Sequence, residues 1–302
     1  MTVGTLQTAV GLRGELREGE PLAQHTTWRV GGPARSFYRP ADAEDLAAFL
    51  RGLDPAEPLL WLGLGSNLLV PDAGFAGTVI QTQGCLSRMQ RQGANGIFAE
   101  SGVSCAKLAR FAARQGLVGA EFLAGIPGTM GGALAMNAGA WGGETWAHVA
   151  RVRTIDRQGR VRERVPADYA VGYREVKGKA GEWFLDLVLE LRQGDGEAAM
   201  ARIRELLDQR ARTQPTGVPS CGSVFRNPPG DHAARLIESV GLKGFRIGGA
   251  QVSERHANFI INTGDARADD IGRLIEHVML AVEQRTGVRL VPEVRRIDGG
   301  IK

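Results

Sequence analysis

The segment PSCGSVFRNPPGD, residues 219 to 231, sets the thiol of Cys221 two positions before the hydroxyl of Ser223, with Gly222 between them. Three chemistries suit that pair. A serine on a sharp turn is a candidate nucleophile, but the GxSxG elbow requires a glycine where Phe225 stands. A thiol turns reactive when a base or cation lowers its pKa, and no histidine lies close to Cys221 in sequence. The third is a hydroxyl that hands a proton to a carbanion. Two other residues could serve the same chemistry. Arg174, after Tyr173 in GYRE, carries a guanidinium fork suited to a carboxylate or a developing enolate. Glu293, in PEVRRIDGG, could hold or share a proton if partly desolvated. Taken singly, such an arginine is usually a surface cation and such a glutamate a solvated edge residue.

Two glycine clusters add a second kind of chemistry: GLGSN at 63 to 67 and GIPGTMGG at 125 to 132. Both follow apolar, strand-like stretches, where a loop can aim successive backbone N–H groups at a phosphate. Either cluster alone is more often a packed tight turn. The pair, with Ser66 and Asn67 as further donors, points to a diphosphate. Neither cluster matches GxGxxG and no GxxxxGK[ST] is present, which argues against a Rossmann or P-loop unit.

These groups must be held by a scaffold of two or three modest domains, since the chain has 302 residues. The run ARSFYRP reads as a strand and DAEDLAAFLRGL as a helix capped by Asp42. PLLWLGLG, AGTVIQTQ and GIFAESGV read as strands, and SCAKLARFAARQG as a helix capped by Ser104 and stopped by Gly116. Residues 119 to 143 are too rich in glycine to be regular throughout. A hairpin over 149 to 165, turning at Gln158 and Gly159, precedes the strand WFLDLVLELR. A helix from about 195 to 212, with Ile203, Leu206 and Leu207 on one face, bridges to the C-terminal part. There, DHAARLIESVG reads as a helix capped by Asp231 and ended by Gly241, and NFIINTG as a strand. In the following helix Ile271, Leu274, Ile275, Val278 and Val282 recur at helical spacing, and VRLVPEVRRI closes the chain as a strand. The class is α+β.

Composition narrows the partners. A hydrophobic fraction of 43% and a charged fraction of 23% are globular, with no apolar run of membrane-spanning length and no secretory leader, so a cytoplasmic location is expected. The net charge of +4 is dispersed, which disfavours nucleic acid and tolerates an anionic small molecule. Three cysteines without CxxC spacing and five scattered histidines argue against disulfides and metal sites. The 42 glycines, roughly twice average usage, fall at a few points between well-patterned segments.

Taken in order, TTWRVGGPA, GLGSNLLV, GIPGTMGGALAMNAGAWGGE, GYR, PSCGSVFRNP, LIESVGLKGFRIGGAQVSERHANFIIN and LVPEV resemble the UDP-N-acetylenolpyruvoylglucosamine reductase (MurB) family over roughly residues 20 to 298. The nine residues after Glu293 resemble its compact subclass, which lacks an extra tyrosine-bearing loop. The resemblance implies a tail over 1–20 and a two-part FAD-binding region of the vanillyl-alcohol oxidase/PCMH type over 21–194, in parts 21–84 and 85–194. A linker helix and an α+β substrate-binding domain over 195–302 would follow. Gly63, Gly65, Ser66, Asn67 and Leu68 would hold FAD from the first cluster. Gly125, Ile126, Pro127, Gly128, Gly131, Gly132 and Ala133, then Asn137 and Gly139, would hold it from the second.

The implied reaction uses NADPH and the enolpyruvyl ether of a UDP-sugar at one shared site, in peptidoglycan precursor synthesis, by a monomer. Arg174 and Glu293 would stabilise an enolate-like intermediate, and Ser223 would protonate it. Tyr173, Arg226, Asn227 and Lys243 would contact the substrate, the arginine and lysine as diphosphate contacts. The sequence departs from the family pattern at Glu175 and Val176, after GYR, and at His25, where asparagine is frequent. A flavin oxidase of the same N-terminal architecture would share the glycine clusters without needing GSVF followed by PEV. A non-catalytic FAD or nucleotide-sugar sensor would have no use for a proton donor.

Overall fold

The structure is a computed structural model in which residues 11–297 are described. The start of the expected N-terminal tail, residues 1–10, and the last five of the nine residues after Glu293 lie outside them. Two compact units interleave along the chain. The first takes the residues up to 18, then 36–64 and 77–208; the second takes 19–35, 65–76 and the residues from 209 on. The division cuts GLGSN between Leu64 and Gly65 and falls again within the bridging helix.

The first unit is built on two sheets. β1 (Glu15–Pro21), β2 (Pro33–Arg39), β3 (Leu59–Leu62) and β4 (Phe75–Gln81) form one of order β1-β2-β4-β3, with β3 and β4 parallel and Leu60 opposite Val79. The polar N-terminal stretch is therefore strand from Glu15 onward. Between β2 and β3, α1 (Ala43–Gly52) buries Leu46, Phe49 and Leu50 at helical spacing. Asp42 caps it as expected, its carboxylate accepting from the Asp45 N–H at 2.9 Å.

The second sheet follows. β5 (Met89–Gln92), β6 (Gly96–Glu100), β7 (Val149–Asp156), β8 (Val161–Arg164), the small hairpin β9 (Ala170–Gly172) and β10 (Glu175–Lys177), and β11 (Glu182–Glu190) occur in that order. Five of them make an antiparallel sheet of order β8-β7-β11-β6-β5. The β7–β8 turn lies where the sequence places it. Against this sheet pack α2 (Cys105–Arg114) and α3 (Met130–Ala135), in a core that includes Leu108, Leu134, Leu187 and Ile203. Ser104 occupies the N-cap of α2, but its hydroxyl makes no capping bond; Gly116 does follow the helix in a left-handed conformation. α4 (Gly196–Thr213) buries Ala199, Ile203 and Leu206, with Leu207 at its margin.

The second unit has its own core. α5 (Ala233–Ser239), the antiparallel sheet β12 (Arg246–Ile247), β13 (Ala250–Val252), β14 (Ile260–Asn262), and α6 (Ala268–Thr286) enclose Trp28, Phe225 and Leu236. All five expected apolar positions of α6 are buried. Its first turn is closed from far away in sequence: Asp72 accepts from the N–H groups of Ala268 and Asp269 at 3.0 and 3.1 Å. Two expectations fail locally. Asp231 pairs with Arg235, and the side-chain oxygen of Asn227 instead takes the Ala233 N–H of α5 at 3.1 Å. The closing run VRLVPEVRRI is strand only at Arg295–Arg296, pairing in parallel with Leu68–Leu69. Pro292 has no N–H for a ladder, and it forms only an isolated bridge to Phe225. Among the described residues no helix is long and apolar enough to cross a membrane.

Candidate active site

In the first unit the second glycine cluster lies against the segment after β6. Met130 N–H donates to Val103 O and Gly131 N–H to Ser101 O, both at 2.8 Å, and Cys105 N–H donates to Gly128 O at 3.0 Å. The approach is close: a Cβ on Gly131 would stand 2.9 Å from the Ser101 Cβ, and one on Gly63 would strike the Thr129 hydroxyl. Gln81 joins the group by donating its amide N–H to Gly63 O at 3.2 Å. Several loop N–H groups, those of Ile126, Met130, Gly131 and Ala133, are thus already bonded within the protein. What the loops offer instead is side-chain oxygen. Ser101 Oγ, Thr129 Oγ1 and Gln81 Oε1 are buried without a protein partner, a condition that costs about 1–3 kcal/mol per group. The sequence does not single these residues out, although Thr129 sits inside the motif.

Arg174 belongs to the same unit. Tyr173 and Arg174 are the two-residue turn of the β9–β10 hairpin, with Gly172 opposite Glu175. Arg174 has φ of 55°, a region that a non-glycine residue rarely enters. Its side chain folds back, Nη1 donating to Asn137 O at 3.2 Å and Nη2 to Gly139 O at 2.7 Å. The Tyr173 ring, itself exposed, lies 5.0 Å from the guanidinium carbon. This arginine is a held group rather than a loose surface cation.

Ser223 and Glu293 belong to the second unit and are half-buried there. Glu293 N–H donates to Val224 O at 2.8 Å, and Arg226 N–H to Val291 O at 2.9 Å, so the two segments run side by side. Asn258 fixes the serine's segment from the other side. Its main-chain oxygen takes the Val224 N–H, its Oδ1 takes the Phe225 N–H at 2.9 Å, and its Nδ2 donates to Phe225 O at 2.8 Å. The end of the first glycine cluster joins this knot: Asn67 Nδ2 donates to Glu293 O at 3.1 Å, and Cys221 Sγ donates to Ser66 O at 2.8 Å. Gly65 lies so close to the His25 carbonyl that a Cβ would collide with it. Burial pushes the Cys221 thiol far up, which removes it as a thiolate nucleophile. Of the remaining expected contacts, Arg226 is half-buried and Asn227 exposed. Lys243 is exposed and paired with Glu238 at 2.9 Å.

Comparison with known proteins bears on both units. A family model described as FAD binding domain matches residues 34–164, and one described as UDP-N-acetylenolpyruvoylglucosamine reductase, C-terminal domain, matches 214–297. The UDP-N-acetylenolpyruvoylglucosamine reductase of Alkalilimnicola ehrlichii is 64% identical over 93% of this chain and 94% of its own. That of Methylococcus capsulatus is 59% identical over 96% and 95%. The crystal structure of the Thermus caldophilus reductase superposes with a TM-score of 0.80 at 34% identity, covering 94% of this chain and 99% of that one.

The chain belongs to the UDP-N-acetylenolpyruvoylglucosamine reductase family. As a member it is an FAD-dependent oxidoreductase of α+β class, with a flavin-binding region before the family's C-terminal domain, as the motifs imply. The flavin oxidase and the sensor are set aside by the same matches. The residues of the first unit fit the cofactor. Hydroxyl donors at Ser101 and Thr129 suit phosphate oxygens, the Gln81 oxygen suits a hydroxyl or ring N–H, and glycines keep the adjoining backbone free of side chains.

Proposed function

We propose that this chain reduces UDP-N-acetylenolpyruvoylglucosamine to UDP-N-acetylmuramate for peptidoglycan synthesis, as a cytoplasmic monomer with NADPH as the reductant. The observation that carries the reading is the pairing of the Ser223 and Glu293 segments through Val224 O, which puts a hydroxyl and a carboxyl on adjacent extended segments of the second unit. FAD, when bound, supplies hydride-transfer chemistry. The glycine clusters, with Ser66, Asn67, Ser101 and Thr129, would hold it.

The remaining work falls to side chains. Reduction adds a hydride to the terminal carbon of the enolpyruvyl group and a proton to the carbon bearing the carboxylate, so the double bond becomes single. Negative charge accumulates on the carboxylate side between these events. Arg174, as a fixed cation, and Glu293, sharing a proton, stabilise that charge. Ser223 then gives up its hydroxyl proton. A serine is a weak acid in water, but an enolate-like carbanion is a strong base, so a well-placed hydroxyl suffices. Tyr173, Arg226, Asn227 and Lys243 bind the UDP-sugar. The exposed Lys243–Glu238 pair is worth only about 0–1 kcal/mol, so a diphosphate competes readily for that ammonium.

The test is an anaerobic cycle on the purified yellow protein. NADPH should bleach the flavin, and UDP-N-acetylenolpyruvoylglucosamine should restore the oxidised spectrum with formation of UDP-N-acetylmuramate. A reduced flavin that ignores this substrate and reoxidises only with oxygen would overturn the proposal.

A further inference from the structure

We propose that Asn137 and Glu144 form a brace that positions Arg174, a role distinct from holding the cofactor; the proposal rests on the reading that Arg174 stabilises the developing charge. An arginine side chain carries about 2 kcal/mol of rotamer freedom, and this one springs from the tip of a two-residue turn whose flanking residues are exposed. Its direction must be imposed from outside. Two of the guanidinium's contacts are carbonyls of one short loop, Asn137 O and Gly139 O.

That loop is tied in turn to the hairpin. Asn137 Nδ2 donates to Gly172 O, at the base of the turn, at 3.2 Å and to Glu144 Oε2 at 2.9 Å, while its Oδ1 accepts the Trp146 N–H at 3.1 Å. The circuit is closed: the main chain of residue 137 holds the side chain of Arg174, and the side chain of residue 137 holds the main chain of residue 172. Two attachments fix the orientation of the tip as well as its place. Asn137 is 2% exposed and both its amide protons are committed within the protein, so its side chain is not a donor to a ligand. It also has φ of 45°, which asparagine tolerates better than most residues. Glu144 orients that amide through a charge-assisted bond. The strain at Arg174, with φ of 55°, persists because these contacts over-determine it.

The experiment compares Asn137→Gly, Glu144→Ala, Glu144→Gln and Arg174→Ala in the holoenzyme. Asn137→Gly keeps the left-handed backbone and removes only the amide. Flavin is reduced with dithionite, mixed with UDP-N-acetylenolpyruvoylglucosamine, and its reoxidation followed; FAD affinity is measured separately by fluorescence quenching. Misorientation of the arginine should slow reoxidation about 10- to 100-fold in Asn137→Gly and about 5-fold in Glu144→Ala. FAD affinity should stay within about 3-fold, since no cofactor contact is removed. Glu144→Gln, which keeps an acceptor, should recover most of the loss. Weaker FAD binding that accounts for the loss would overturn the brace, as would normal reoxidation in both brace variants beside a slow Arg174→Ala. A normal Arg174→Ala would remove the underlying reading and the brace with it.

Discussion

Each unit holds one of the proposed catalytic residues with a buried asparagine, and the two asparagines do it differently. Asn258, in the second unit, acts as a substitute strand: its amide makes a donor and acceptor pair with the backbone of Phe225 alone, two residues from Ser223. Asn137, in the first, distributes its amide over three partners and presents its own carbonyl to Arg174. The difference follows from what must be fixed. A serine hydroxyl moves with its backbone, so fixing the backbone is enough. An arginine has a long side chain, so both its backbone and its far end must be tied. Where a regular ladder is interrupted, by Pro292 in one unit and by a two-residue turn in the other, a side-chain amide takes over the pairing.

The largest effect should come from the chemistry itself. Ser223→Ala should leave reduction of the flavin by NADPH intact and slow product formation by about 10²- to 10⁴-fold. Stopped-flow measurement of the two half-reactions checks this, and equal losses in both would mean that the serine's role is structural. Next is the brace of that segment. Asn258→Ala leaves the N–H and C=O of Phe225 buried and unpaired, so stability should fall by about 2–4 kcal/mol in urea unfolding. Asn258→Asp keeps the acceptor but sets a buried carboxylate oxygen against the Phe225 carbonyl that the amide donated to, so it should lose at least as much. A loss below about 0.5 kcal/mol would show that the amide merely fills space. Smaller still is Gly222→Ala. Gly222 has φ of 71° and nothing within 4 Å of where a Cβ would stand, so only backbone strain of about 1–2 kcal/mol is expected. A larger loss would mean that the turn cannot relax.

The same contrast governs what could be read from the sequence. The glycine clusters, the Asp42 cap, the buried face of α6 and the serine, arginine and glutamate motifs are local patterns, and local patterns are visible in a string. The braces are not. Asp72 caps α6 from 196 residues away and Asn258 meets Phe225 across 33, distances that no spacing rule encodes. The hydroxyls of Ser101 and Thr129 matter because they are buried without partners, and burial belongs to the fold. Asp231 and Pro292 show the opposite error. Their local signals for a cap and a strand were overruled by Asn227 and by the missing N–H.

The least disruptive change tests whether Cys221 belongs to the brace or to the chemistry. Its thiol is buried, donates to Ser66 O, and is pushed well above the ordinary value of about 8.5. A thiol raised in this way contributes stability that is complete below about pH 8.5. Above that value the unfolded chain releases a proton that the folded chain keeps, so the contribution declines as pH rises toward the folded pKa. The slope approaches about 1.4 kcal/mol per pH unit for each such thiol. Cys105 adds to it in the first unit, where burial raises its pKa to about 12. Urea unfolding from pH 7 to 10.5 should therefore show alkaline destabilisation that falls by about a third to two fifths in Cys221→Ala, since Cys105, Tyr38 and Tyr169, whose pKa values burial also raises, keep their share. Turnover at pH 7.5 should change little in that variant, because the hydroxyl two residues on still stands on the segment that Asn258 holds. A large loss of turnover with an unchanged alkaline slope would place the thiol in the reaction and dissolve the contrast between a residue that reacts and one that shapes its turn.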